Sequence, residues 1–173
     1  MQNHQPTTIL ALDPGLRELG FAVLSGRRIV AGGVGDLRRL EQQRRLPEAR
    51  KLILGWILAH RPRAIVLERT YRHPTPSLNS LHLLTRWVGH VAAQRQIAVA
   101  TYAPQTVRRN VAGDGWATKR EVAFILASRF PILRVYLTQD RKWKERYFLN
   151  LFDAVALALH HQSQLPSRSR SYG

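Results

Sequence analysis

The stretch from Thr7 to Asp13 contains the unbroken apolar run Ile9-Leu10-Ala11-Leu12 and then stops at a carboxylate. A short run with no polar alternation reads as a strand buried on both faces, so the sheet that holds it needs a layer on either side. Asp13-Pro14-Gly15 is a tight turn. Gly20–Ser25 and Arg28–Gly33 read as the next two strands, joined at Gly26, which makes an antiparallel meander. Ala64–Glu68 repeats the first pattern, four apolar residues and then a carboxylate. Between these strands Glu41–His60 reads as a helix with Leu46, Ala49, Ile53, Trp56 and Ile57 on one face and Pro47 as its weak point. Residues 72–78 read as a loop, Leu78–Gln94 as a helix and Ile97–Tyr102 as a strand. Thr118–Phe130 is a helix opened by a capping box of Thr118 with Glu121, and Tyr147–His161 is the last helix. Residues 131–146 carry no clear pattern. The order suits an α/β fold, a mixed sheet flanked by helices. One domain is expected over residues 1–162, followed by a Ser/Arg-rich tail over 163–173 that reads as disordered.

Charge narrows the function. Lys and Arg total 27 against 11 acids, a net charge of +16, which points to a polyanionic partner, most commonly nucleic acid. The basic residues are spread along the chain and form no basic amphipathic helix, which disfavours a membrane surface. No uncharged apolar run is long enough for a membrane helix. The opening MQNHQPTT does not read as a signal peptide. With no Cys, disulfides and Cys-ligated zinc are excluded.

Among so few acids, three stand in apolar surroundings: Asp13, Glu68, and Asp153 within Leu151-Phe152-Asp153-Ala154-Val155. A carboxylate beside a core needs a cation or hydrogen-bond donors. Taken singly, each has a plain alternative: an Asp-Pro-Gly turn, an ion pair with a nearby Arg, a solvated sheet rim. Taken together in a basic chain they suggest a site. If the two strands are neighbours, Asp13 and Glu68 converge at one sheet edge, where a helix packed across can add Asp153. Such hard oxygen ligands suit Mg²⁺ or Mn²⁺, and a pair of such ions can promote phosphodiester cleavage.

Four segments, in order, resemble the RuvC-type Holliday-junction resolvases: ILALDPGLRELGFAVL (9–24), AIVLERTY (64–71), YAPQTVRRNVAGDGWATKREV (102–122) and FDAVALALHH (152–161). The resemblance implies an RNase H-like fold with a five-stranded mixed sheet. It also implies a homodimer that cuts four-way DNA junctions with two Mg²⁺ per active site, Mn²⁺ substituting. Asp13, Glu68 and Asp153 match the family's catalytic, metal-binding carboxylates, and Lys119 a basic residue near the scissile phosphate. Tyr71 matches an aromatic that stacks on bases at the junction centre, and Arg108 stands where the family has another cation. Arg72, Arg109 and Arg120 complete the expected DNA contacts. A branch-migration helicase as partner and a cytoplasmic, nucleoid-associated location follow from the same resemblance.

Two departures qualify it. The family usually has Asp or His three residues before its last carboxylate; here that position is Asn150, on the same helical face as Asp153. As an amide it is a weaker metal ligand. The stretch TQDRKWKERYF (138–148) looks longer than the family's link and offers Asp140 or Glu145 as substitute ligands. Trp116 and Trp143 read as core packing or loop support more readily than as base-stacking groups. Three rival readings stay open. They are a related nuclease acting on RNA or other branched DNA, a catalytically weak junction-binding protein, and a phosphate-loop ATPase, for whose usual two lobes the chain is short.

Overall fold

The computed structural model describes residues 7–69, 76–139 and 142–165, with backbone alone for 76–78 and 142–145. Five strands form one sheet in the order β3-β2-β1-β4-β5. They are β1 (Thr8–Asp13), β2 (Glu18–Ser25), β3 (Arg28–Asp36), β4 (Ala64–Glu68) and β5 (Ala98–Tyr102). The first three form the antiparallel meander, and β1, β4 and β5 run parallel. The helices are α1 (Gln42–His60), α2 (Pro76–Gln94), α3 (Pro104–Ala112), α4 (Lys119–Arg129) and α5 (Lys142–Gln164), with a 3-10 turn over Pro131–Tyr136.

The apolar run of β1 is central, as its composition requires. Successive side chains of a strand point to opposite faces, and the two cores divide accordingly. Ile9 and Ala11 join Ala22, Leu24 and Val66 on the face covered by α3, α4 and α5. Leu10 and Leu12 join Leu19, Val23, Ile65 and Leu67 on the face covered by α1 and α2. Burying each large aliphatic side chain contributes about 1.5–3 kcal/mol relative to leaving it in water. Ala49, Ile53 and Ile57 form the buried stripe of α1. Pro47 lies inside that helix without ending it, since a proline costs the interior one hydrogen bond and a local clash that tertiary packing can offset.

Helix α5 is the element that closes the site. From Leu151 to His160 it is buried throughout, and it lies across β1, β2 and β3. Gly20 permits this approach: a Cβ there would stand 2.2 Å from the backbone oxygen of Asn150. Any side chain at Gly20 would have to push the helix off the sheet, and overpacking of this kind costs about 1–3 kcal/mol.

Five assignments change. β2 begins at Glu18, two residues before the expected Gly20, and β3 runs to Asp36, three residues past the expected Gly33. α3 was not expected as a helix. α5 begins at Lys142, five residues before the expected Tyr147, and ends at Gln164, so the helix runs two residues into the expected tail. α2 begins at Pro76, inside the expected loop.

Candidate active site

Strand parity decides where the carboxylates point. Asp13 follows Ile9 and Ala11 in alternation, and Glu68 follows Val66, so both fall on the face covered by α4 and α5. The β1–β4 register pairs Leu12 with Leu67. Asp13 and Glu68 are the next residues of these neighbouring parallel strands, and both are half-buried. Asp153 projects from buried α5 and is 9 % exposed. Lys119, the first residue of α4, donates to Asp153 Oδ2 and forms an ion pair with it.

The start of α4 is fixed by the capping box foreseen from its sequence. The Thr118 backbone N–H donates to Glu121 Oε2 at 2.6 Å, and the Glu121 backbone N–H donates to Thr118 Oγ1 at 3.2 Å. This holds the helix end that carries Lys119 against α5. The same contact holds Glu121's carboxyl below the usual range, since the charged form accepts those bonds.

Electrostatics tie the four groups together. Burial pushes the Asp13 carboxyl up to about 8; Asp153 and Glu68 add to the rise, and Lys119 opposes it. For Lys119 burial disfavours the charge, yet Asp153, Asp13 and Glu68 outweigh that and raise its pKa. Asp13, Glu68 and Asp153 thus all act on Lys119 in a partly dry place, and the raised Asp13 pKa marks a position where a bound cation would favour the ionised carboxyl. Among the described residues no three acidic or histidine side chains already form a cation cage. The oxygen-donor chemistry of these carboxylates fits divalent cations such as Mg²⁺ and Mn²⁺.

Asn150, one helical turn before Asp153, donates through Nδ2 to Glu18 Oε2 at 3.0 Å. Glu18 also pairs with Arg38 at 3.3 Å, and Arg38 grips Asp36 at 2.7 Å. Glu18 was not among the expected site residues; it opens β2, two residues before the expected start of that strand. The meander register held the signal, because Asp13 pairs with Gly20 and Glu18 shares Gly20's parity, which points it at α5.

Arg108 and Arg109 lie on α3, which leaves the sheet just beyond Tyr102, at the same strand ends as Asp13 and Glu68. Arg120 follows Lys119 on α4, with its guanidinium 5.6 Å from the centre of the Phe124 ring. Trp116 is 81 % exposed, so core packing is excluded for it. Tyr71, Arg72, Asp140, and the side chains of Trp143 and Glu145 lie outside the described residues.

A meander followed by two parallel strands, with carboxylates at the ends of β1 and β4 beneath a closing helix, is the architecture of the RNase H-like nuclease class. The profile of the family described as "Crossover junction endodeoxyribonuclease RuvC" matches residues 9–161. A relative of that name from Caulobacter vibrioides is 33% identical over 75% of this chain and 80% of its own length. Another, from Saccharopolyspora erythraea, is 27% identical over 94% of this chain and 80% of its own. The structure of Thermus thermophilus RuvC in complex with Holliday junction substrate superposes with a TM-score of 0.69 at 25% identity, covering 90% of this chain and 92% of that one. The chain belongs to the RuvC family of crossover junction endodeoxyribonucleases.

Proposed function

We propose that this chain resolves four-way DNA junctions as a homodimer, hydrolysing one phosphodiester bond per subunit with the help of two Mg²⁺, for which Mn²⁺ can substitute. The observation that carries this reading is the meeting of Asp13, Glu68, Asp153 and Lys119 at one sheet edge of a strongly basic chain. Asp13, Glu68 and Asp153 would hold the ions, with Asn150 at the margin. Bound there, divalent ions would supply activation of water and stabilisation of the leaving oxygen. Lys119 then neutralises charge developing on the scissile phosphate. Arg108, Arg109 and Arg120 grip neighbouring phosphates, which position the DNA without reading its sequence. Tyr71 and Arg72 extend the contact toward the junction centre. A two-fold dimer presents two equivalent sites to a two-fold substrate. Residues 1–162 act as one nuclease domain, and 163–173 as a basic tail. The place of action is the cytoplasm, on the nucleoid, where a branch-migration helicase is a fitting partner. Among the described residues no helix is long and apolar enough to cross a membrane.

The test is cleavage of a labelled four-way junction, linear duplex and RNA hairpin, each with Mg²⁺, Mn²⁺ or EDTA. Paired nicks in the junction are expected with either metal and none with EDTA. Binding should fall steeply with salt, as phosphate contacts release counterions. Equal affinity for junction and duplex in competition would favour a general nuclease, and junction binding without cleavage under any metal would favour a junction-binding protein.

Asn150 gives a sharper test of the metal site. Asn150→Asp removes the amide donor and sets a carboxylate against Glu18, a like-charge contact that Arg38 offsets in part and a bound metal ion would relieve further. The variant should melt lower than the wild type in EDTA and gain more from added Mn²⁺. Its metal concentration for half-maximal cleavage should fall by roughly tenfold, the equivalent of about 1.4 kcal/mol. An unchanged metal response in both measurements would place Asn150 away from the ions.

A further inference from the structure

The loop between α3 and α4 holds a tryptophan that its backbone keeps in water. Gly113 ends α3 in the left-handed region, at φ 78°, with its N–H on the Arg109 carbonyl. The Asp114 side chain accepts from the Trp116 backbone N–H at 2.9 Å. Gly115 is buried, and a Cβ there would come within 3.1 Å of the Gln105 carbonyl oxygen. Ala117 is buried in the core, and Thr118 is locked in its capping box. With residues 115 and 117 turned inward and both ends of the loop braced, the indole of Trp116 is held outward and 81 % exposed. The fold forgoes the stabilisation that burying so large a ring would give.

Trp116 stands three residues before Lys119, which contacts Asp153, and its loop starts from the helix that carries Arg108 and Arg109. Its polar neighbours in the chain are Asp114, Thr118, Lys119 and Arg120, and the Arg109 guanidinium lies 3.6 Å from where a Cβ of Gly115 would stand. An aromatic ring set among phosphate-binding cations is the composition of nucleic-acid surfaces, where bases stack on the ring and the cations track the backbone.

We propose that Trp116 is a stacking platform for a nucleobase beside the scissile phosphate, and that it fixes where along the strand the cut falls. This rests on the reading of the site as a junction nuclease. Because the loop is braced, the ring does not have to be ordered on binding, so little of the stacking is lost to entropy. Stacking tolerates any base, so the ring would register the strand without demanding one sequence.

The experiment compares wild type, Trp116→Ala and Trp116→Phe on four-way junctions carrying 2-aminopurine at successive positions around the cut site. Binding is read in EDTA and cleavage in Mg²⁺. For Trp116→Ala we expect junction affinity about tenfold weaker, an altered 2-aminopurine signal at one position, and cuts spread over neighbouring phosphates. Trp116→Phe should recover most of each. The salt dependence of binding should be the same in all three, since no phosphate contact is lost, and the melting temperature should hold because the ring lies outside the core. A Trp116→Ala protein that binds and cuts at the same position as wild type overturns the proposal. So does one that differs only in self-association, which would assign the ring to a protein contact. If wild type neither binds nor cuts the junction, the nuclease reading itself fails and the platform with it.

Discussion

Asp13→Asn, Glu68→Gln and Asp153→Asn should each lower junction cleavage on the order of a thousandfold or more, while junction binding persists or tightens. The three side chains come from β1, β4 and α5 and lie toward the α4–α5 face of the sheet, where Asp13 is electrostatically coupled to Asp153, Lys119 and Glu68. Removing one charge weakens the hold on a cation far more than it disturbs packing, because the amides are close in shape. Asp13→Asn should have the largest effect, since Asp13 interacts with both other acids and with Lys119. It also separates chemistry from folding. The Asp13 carboxyl is raised by burial and by its neighbours, so its ionised form opposes folding in the metal-free protein. The sign follows from linkage: a carboxyl whose pKa is raised on folding lowers stability as pH climbs above its unfolded value, and an amide removes that dependence. In EDTA at pH 8 Asp13→Asn should therefore melt no lower than wild type, even as cleavage collapses. A variant that melts normally and cuts a junction at near wild-type rate would remove that residue from the metal site.

Much of this site was legible because β-strands alternate with a strict period. Ile9-Leu10-Ala11-Leu12 and Ala64-Ile65-Val66-Leu67 each fill both cores, which fixes β1 and β4 as interior strands, and the residue after each run must emerge at an edge. The β4 boundaries agree with the expected ones for that reason. The helices were less legible where their apolar face is thin. In α3 only Val107 is fully buried, with Val111 and Ala112 partly so, and the Arg108-Arg109-Asn110 run between them masks the stripe. The first five residues of α5, Lys142 to Arg146, carry four charges and one tryptophan, so no periodicity announces the helix before Tyr147. Trp116 was misjudged because size suggests burial. Its neighbours Gly115 and Ala117 are the buried residues of this stretch, and the ring lies outside them. The Lys119–Asp153 contact joins residues 34 positions apart, and the Asn150–Glu18 contact joins residues 132 apart. Pairings of that kind depend on how α4 and α5 cross the sheet, and local pattern does not encode the crossing.

Lys119→Ala should move metal binding and catalysis in opposite directions. In the present structure the Lys119 ammonium is bound to Asp153 and stabilised by Asp13 and Glu68 as well. On the proposed reading it would compete with a divalent ion for the same carboxylates, and its removal would leave their charge to the ion. Mn²⁺ should then bind roughly tenfold more tightly, which corresponds to about 1.4 kcal/mol and lies within the effect of one nearby charge in a partly solvated site. Cleavage should nevertheless fall on the order of a hundredfold if, as proposed, the ammonium also meets the charge of the transition state, since loss of one such group typically costs that much. The side chain is about two-fifths exposed, so its loss should leave the capping box and the α4–α5 packing in place. Lys119→Arg should restore the charge without the compact geometry, and recover cleavage only in part. Calorimetric titration of Mn²⁺ in the absence of DNA, set beside single-turnover cleavage at saturating metal, separates the two effects. Weaker metal binding in Lys119→Ala would mean that Lys119 orders the carboxylates and does not compete for them. Full activity at saturating metal would mean that its charge serves the metal-free fold alone.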